Sequence, residues 1–227
     1  MFQKIIDLFY PPVCAGCEAF LLSDEKVICT NCRHEIPITN HFLNIENESY
    51  LRFYGRVPLE FAATHCYFHK KGIVQMLIHN LKYKGHESIG KAMGDWFVED
   101  LKNVEILKSV DEIIPVPLHK KRLKERGYNQ VTTFGKAIAA GLNKPYNPDI
   151  LVRKIYAKSQ TKKDFSGRTA QSENIFEITN TENHQNKHFL LVDDVLTSGA
   201  TLEACSKALF QIPGAKISIA CIAMSHS

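Results

Sequence analysis

The chain has 227 residues, 44% of them hydrophobic and 23% charged, with a formal net charge of +4 at pH 7. That is enough for one sizeable core and a small appendage in an ordinary globular protein. No apolar run is long enough to span a bilayer, and Met1 to Tyr10, broken by Lys4 and Asp7, is too short for a secretory signal; a cytoplasmic protein with no membrane insertion is expected.

Ile5, Ile6, Leu8 and Phe9 give residues 2–9 a short amphipathic helical pattern, stopped by Pro11 and Pro12. Two cysteine pairs follow, Cys14-Ala-Gly-Cys17 and Cys29-Thr-Asn-Cys32. In a secreted chain they would suggest disulfides; without a signal, metal binding is the better reading. Each C-x2-C pair can bite one ion, and together they supply a tetrahedral thiolate set, with Gly16 and Asn31 tolerating the tight turns. Zinc is the expected metal; a redox dithiol, an iron–sulfur cluster and scattered core cysteines are the alternatives. No ligand position looks open, which makes the metal structural. Residues 1–36 therefore read as an N-terminal helix and a zinc-ribbon-like four-cysteine module. Residues 37–60, mixed and punctuated by Asn, Glu and Pro, read as a connector.

From residue 61 the pattern is that of an α/β unit running to residue 227. Phe61 to Lys70 alternates as a strand; Ile73 to Leu81 and Ile89 to Leu101 have helical spacing. Glu112 to Pro117 is a short buried strand ending in prolines. Val131 to Leu142 is a helix, with Asn129 as its start. Strands are expected at Ile150 to Ile155, Phe176 to Ile178, Phe189 to Val192 and Ala215 to Ala223, and a helix at Thr201 to Phe210. Such alternation predicts a parallel sheet flanked by helices. Residues 119–126 and 153–168 concentrate Lys and Arg, which suits polyanionic ligands, although a basic run by itself is most often a solvated face.

The chemistry concentrates in Phe189-Leu-Leu-Val-Asp193-Asp194-Val-Leu-Thr-Ser-Gly-Ala-Thr201. An apolar strand delivers two carboxylates to its carboxyl end, where open α/β sheets bind ligands. The carboxylates can accept hydrogen bonds from vicinal hydroxyls. The loop offers backbone N–H groups and the hydroxyls of Thr197, Ser198 and Thr201 at a helix start, a setting for phosphate. Gly199 permits close approach, and Leu196 anchors the loop. The bland alternative is a helix cap, which needs far less of this run.

On these residues the chain resembles the type I phosphoribosyltransferases. The resemblance implies that Asp193 and Asp194 bind the ribose hydroxyls of 5-phosphoribosyl 1-diphosphate (PRPP). It assigns Thr197, Ser198, Gly199, Ala200 and Thr201 to the 5-phosphate, with Val195 and Leu196 as variable loop positions. The order of the cysteine module, Pro115-Val-Pro117-Leu118, Arg126-Gly-Tyr-Asn-Gln130, Arg153, Gln160, Arg168, Asn174 and the Asp193-Asp194 motif resembles the ComF family over essentially the whole chain. Phe165 departs from the Leu expected between Gln160 and Arg168.

This likeness implies a type I phosphoribosyltransferase-like domain at 61–227 behind a zinc module, linked to natural transformation and the handling of internalised single-stranded DNA. It puts Pro117 and Leu118 near the diphosphate and makes residues 158–168 a loop over the site. Lys158 and Arg168 would neutralise diphosphate, with Arg122, Arg126 and Arg153 as further candidates. Asp193 and Asp194 would stabilise charge on the sugar, Mg2+ would ride with PRPP, and a competence helicase is an expected partner. The acceptor is not legible. An active pentosyl transferase and a PRPP-sensing or single-stranded-DNA-binding protein therefore both stand, with Tyr67, Phe68, Tyr83, Tyr128 and Tyr156 as candidate stacking residues.

Overall fold

A computed structural model describes residues 11–154, 175–179 and 181–225. The helix expected at 2–9 lies outside them, as do Tyr156, Lys158, Gln160, Phe165, Arg168, Gln171 and Asn174.

Among the described residues, the cysteine module carries the α-helix α1 (Thr30–Glu35) and the following segment α2 (Glu48–Leu51). Then come β1 (Phe61–Phe68), α3 (Ile73–Tyr83), α4 (Glu87–Leu101), β2 (Glu112–Pro115), α5 (Lys120–Arg126) and α6 (Thr132–Leu142). The chain continues with β3 (Leu151–Arg153), β4 (Phe176–Ile178), β5 (His188–Leu196), α7 (Ala200–Leu209) and β6 (Lys216–Ser225). Four parallel strands form the main sheet in the order β1-β6-β5-β2. The expected strands near 150 and 176 pair with each other, antiparallel, in a separate two-stranded sheet.

The β5 sequence explains the layering. Strand side chains alternate between faces. Leu190 and Val192 enter a core built with α3, α4, α6 and the cysteine module, whereas Phe189 and Leu191 enter a second core with α7, β3 and β4. A strand covered on both faces must be apolar throughout.

Two boundaries matter for the site. The apolar run of β5 was expected to stop at Val192, but the strand runs on through both carboxylates to Leu196. The longer β6 supplies partners there: Asp193 lies opposite Cys221 and Leu196 opposite Met224. The connector is also more than a spacer. The Asn47 side chain caps α2 by accepting from the N–H groups of Ser49 and Tyr50, and its amide donates to Ala62 O of β1 at 2.8 Å. This clamps residues 47–59 against the sheet, where Phe53, Val57 and Leu59 join the second core. Among the described residues, no helix is long and apolar enough to cross a membrane.

Candidate functional site

Because Asp193 and Asp194 are consecutive in a strand, they project to opposite faces. Asp194 turns toward α3, where Lys82 Nζ lies 2.9 Å from Oδ1; the residue is 4% exposed. Its Oδ2 is buried with no hydrogen-bond partner among the described residues. Asp193 is half-buried on the α7 side, and its Oδ1 accepts the Asp194 N–H at 2.8 Å. Lost hydration, and then the neighbouring charge of Asp194, push the Asp193 carboxyl up to about 7.

The loop after β5 exposes Thr197, Ser198 and Thr201. Gly199 caps α7 at φ 79°, and a Cβ there would lie 2.9 Å from the Phe53 ring, so glycine is required on both counts. Asp193, Val195 and residues 197–202 line a small polar recess of about 50 Å³ at the start of α7. Leu196 is fully buried, so its side chain anchors the loop and does not face the recess.

A larger cleft of about 290 Å³ adjoins the carboxylates. Val116, Pro117, Leu118 and Val195 form its apolar wall, and Lys82, Arg122, Arg126 and Arg153 line it as cations. Arg122 and Arg126 come from α5, whose C-cap Gly127 turns the chain at φ 79°. Arg126 donates to Gln130 Oε1 at 2.6 Å and lies 5.2 Å from the ring centre of Tyr83. Arg153 stacks 5.4 Å from the Phe176 ring centre; burial, and then Arg122, lower its pKa. Of the candidate stacking aromatics, Tyr83 is exposed. Phe68 packs against the core, Tyr67 sits edge-on to His41, and the Tyr128 hydroxyl donates to Leu81 O. These three are committed to the fold.

Sequence reading missed Lys82, Gln130, Arg52 and Arg56. Arg52 donates to Thr197 O and Arg56 to Ser198 O (2.9 Å), behind the loop. Nothing local marks Lys82 or the two arginines as site residues. Gln130, by contrast, sits inside the quoted Arg-Gly-Tyr-Asn-Gln run and was readable there.

The four sulfurs of Cys14, Cys17, Cys29 and Cys32 all lie within 4.8 Å of one another, Cys17 and Cys29 at 3.7 Å. A tetrahedron of ~2.3 Å Zn–S bonds sets sulfurs about 3.8 Å apart, so the cluster fits the ion. Backbone N–H groups point at sulfur, from Gly16 and Cys29 to Cys14 and from Cys32 to Cys29. Burial raises the Cys14 thiol, but the N–H groups of Cys29, Gly16 and Cys17 outweigh it and bring the pKa down to about 7. Cys32 is pushed up by burial and by the neighbouring cysteines, a repulsion that a bound cation relieves. The module is not a detached appendage. Ala15 O accepts from the Asn80 side chain of α3 at 2.8 Å, and a Cβ on Gly16 would lie 2.9 Å from Ile73.

Two domain families match the chain: the phosphoribosyl transferase domain over residues 132–227 and the double zinc ribbon domain over residues 5–42. With the parallel sheet and the four-cysteine cluster, they define a phosphoribosyltransferase-like protein carrying an N-terminal module for structural zinc. Competence protein F of Haemophilus influenzae is 26% identical over 215 residues, covering 86% of this chain and 90% of that protein. Competence protein ComFC of Bacillus subtilis is 24% identical over 204 residues, covering 85% and 81%. DNA utilization protein YhgH of Escherichia coli O157:H7 is 24% identical over 152 residues, covering 66% of each chain. These matches support a ComF-family phosphoribosyltransferase-like protein with an N-terminal zinc module.

Two predictions follow from this geometry. With a carboxyl that titrates near 7 in the folded chain and near 4 unfolded, the native state retains the proton between those values, so stability falls as pH rises through that window. Asp193→Asn keeps the acceptor for the Asp194 N–H and removes the charge. In urea unfolding it is expected to flatten this fall and to be more stable than the unaltered protein at pH 8, by about 1–3 kcal/mol. An unchanged pH profile would contradict the burial argument. Metal analysis is expected to find about one zinc per chain. Chelation should raise hydrogen exchange in α3 as well as in the cysteine module, because the two share a core; iron, or no metal, counts against the assignment.

Proposed function

We propose that the cleft binds PRPP and that the protein acts on single-stranded DNA during DNA uptake, as a Mg2+-dependent phosphoribosyltransferase. One observation carries this reading: Asp193 and Asp194, the hydroxyl- and N–H-bearing loop 197–201, and the cations Lys82, Arg122, Arg126 and Arg153 line adjoining recesses at one end of β5. Asp193 and Asp194 accept hydrogen bonds from the ribose hydroxyls. Thr197 to Thr201 hold the 5-phosphate at the start of α7, where N–H donors and the helix dipole favour an anion. Arg122, Arg126 and Arg153 face the diphosphate beside Pro117 and Leu118, and Lys158 and Arg168 complete that charge.

Lys82 already neutralises Asp194, and Asp193 has no cation within salt-bridge distance among the described residues. The donor set therefore fits a Mg2+ held mainly by ligand oxygens and water, which would offset the charge of diphosphate. In the reaction, the acceptor's lone pair forms a bond to C1 while the C1–O bond breaks and its electron pair leaves with diphosphate; the acceptor's proton passes to solvent. The carboxylates stabilise the positive charge that develops on the sugar.

A second reading, PRPP-dependent DNA binding without turnover, draws on a specific surface. α5 buries none of its residues, and Tyr83, 66% exposed beneath Arg126, offers a base-stacking face next to the cleft. The competence proteins among the relatives support a role in DNA uptake, and a competence helicase is the protein partner that fits it.

Diphosphate release from PRPP, screened with single-stranded DNA and a panel of nucleobases, decides between transfer and binding. Turnover with one acceptor establishes the enzyme. PRPP-dependent thermal stabilisation together with PRPP-dependent binding of single-stranded DNA, without turnover, establishes the second reading. The double variant Asp193→Asn, Asp194→Asn should abolish that stabilisation, and unchanged stabilisation would sink the site. DNA affinity should fall steeply with salt.

A further inference from the structure

The loop that faces the recess is held from behind by a segment that no catalytic motif includes. Residues 47–59 are tied to the sheet by Asn47, and Arg52 Nη2 donates to Ser225 O at the end of β6 at 2.8 Å. From this base the Arg52 guanidinium donates to Thr197 O, and Arg56 Nη1 donates to Ser198 O at 2.9 Å and to Arg52 O at 3.0 Å. Arg56 is itself fixed by Glu203 of α7, with Nε 2.8 Å from Oε2 and Nη2 also bonded to it. Between the two arginines the Phe53 ring packs against Gly199.

Peptide planarity makes these contacts directional. In a trans peptide the C=O and the following N–H point in opposite directions. Drawing Thr197 O toward Arg52 turns the Ser198 N–H away from it. Drawing Ser198 O toward Arg56 does the same to the Gly199 N–H. The polar recess is lined by Asp193, Val195 and residues 197–202 and by none of Arg52, Phe53 or Arg56, so buttress and recess occupy opposite sides of the loop. The guanidiniums thus aim two donors at the recess. They also set positive charge behind it, where it is shielded from direct contact with an anion.

We propose that Arg52 and Arg56 are positioning residues for 5-phosphate capture: they pin the carbonyls of Thr197 and Ser198 so that the following N–H groups stand preset toward the phosphate. The inference rests on the reading of residues 197–201 as the 5-phosphate loop and adds to it what orients that loop. It assigns the segment around α2, remote in sequence from the motif, a function in ligand specificity. Preset donors matter because a loop that must reorganise on binding gives up affinity to ordering.

The test is calorimetric titration of the full-length protein with ribose 5-phosphate, PRPP and inorganic diphosphate. Arg52→Ala and Arg56→Ala are expected to weaken the two 5-phosphate ligands by about tenfold each, the scale of one lost charge-assisted hydrogen bond, and to leave diphosphate affinity unchanged. Arg56→Lys keeps the charge on one nitrogen that cannot reach Ser198 O, Arg52 O and Glu203 together, so it should recover only part of the loss. If an alanine variant fails to fold, the lysine variants of both positions decide the matter. Unaltered ribose 5-phosphate affinity in the variants overturns the proposal. So does an equal loss for diphosphate, which would mean general loosening. Full recovery by Arg56→Lys would show that charge alone suffices and overturns the orientation argument. If the unaltered protein binds diphosphate but neither 5-phosphate ligand, the loop assignment itself falls, and the buttress with it.

Discussion

The site depends on one geometric constraint, the twofold alternation of side chains along β5. Each residue from Phe189 to Val192 serves one of two cores, and the same alternation, carried two residues further, sends Asp193 and Asp194 to opposite faces. Each carboxylate then meets a different environment. Asp194 faces the Lys82 ammonium of α3, whereas Asp193 lies toward α7, with Arg153 near enough to be felt but with no cation in contact among the described residues. Adjacency in sequence thus becomes division of labour in space, with one carboxyl compensated and the other held uncomfortably close to neutral.

The cleft owes its shape to two parts that look peripheral on a linear map. The cysteine module shares a core with α3, α4 and α6, and its Ala15 carbonyl fixes Asn80, two residues before Lys82. Residues 47–59 back the opposite side of the sheet and reach the loop through Arg52 and Arg56. A metal knuckle and an irregular segment therefore brace the two flanks of the same strand end.

Much of this was legible in the chain, and the residues that were not share a physical reason. The Asp193–Thr201 run, the cysteine pairs and the strand–helix alternation are local patterns, so spacing and periodicity reveal them. Lys82, Arg52 and Arg56 act across the fold, and nothing in their own neighbourhoods sets them apart from solvated bases. Strand ends were misjudged for a related reason. β5 passes its apolar run because a partner strand is present to receive its hydrogen bonds, and that partner, β6, is distant in sequence. The pairing of β3 with β4 outside the main sheet is equally a matter of partners and not of composition.

The strand order carries a further consequence, for how the chain comes to be folded. β6, the last strand in chain order, sits inside the sheet between β1 and β5, and Phe61 of β1 pairs with Ser218. During synthesis β1 emerges early and has no sheet neighbour until the final strand follows it. Loop closure over that span must precede the reward of pairing, so sheet assembly is slow and late. Until then the backbone edges of β1 and β5 that β6 pairs lack their hydrogen-bond partners, and an unpaired strand edge favours association with other chains.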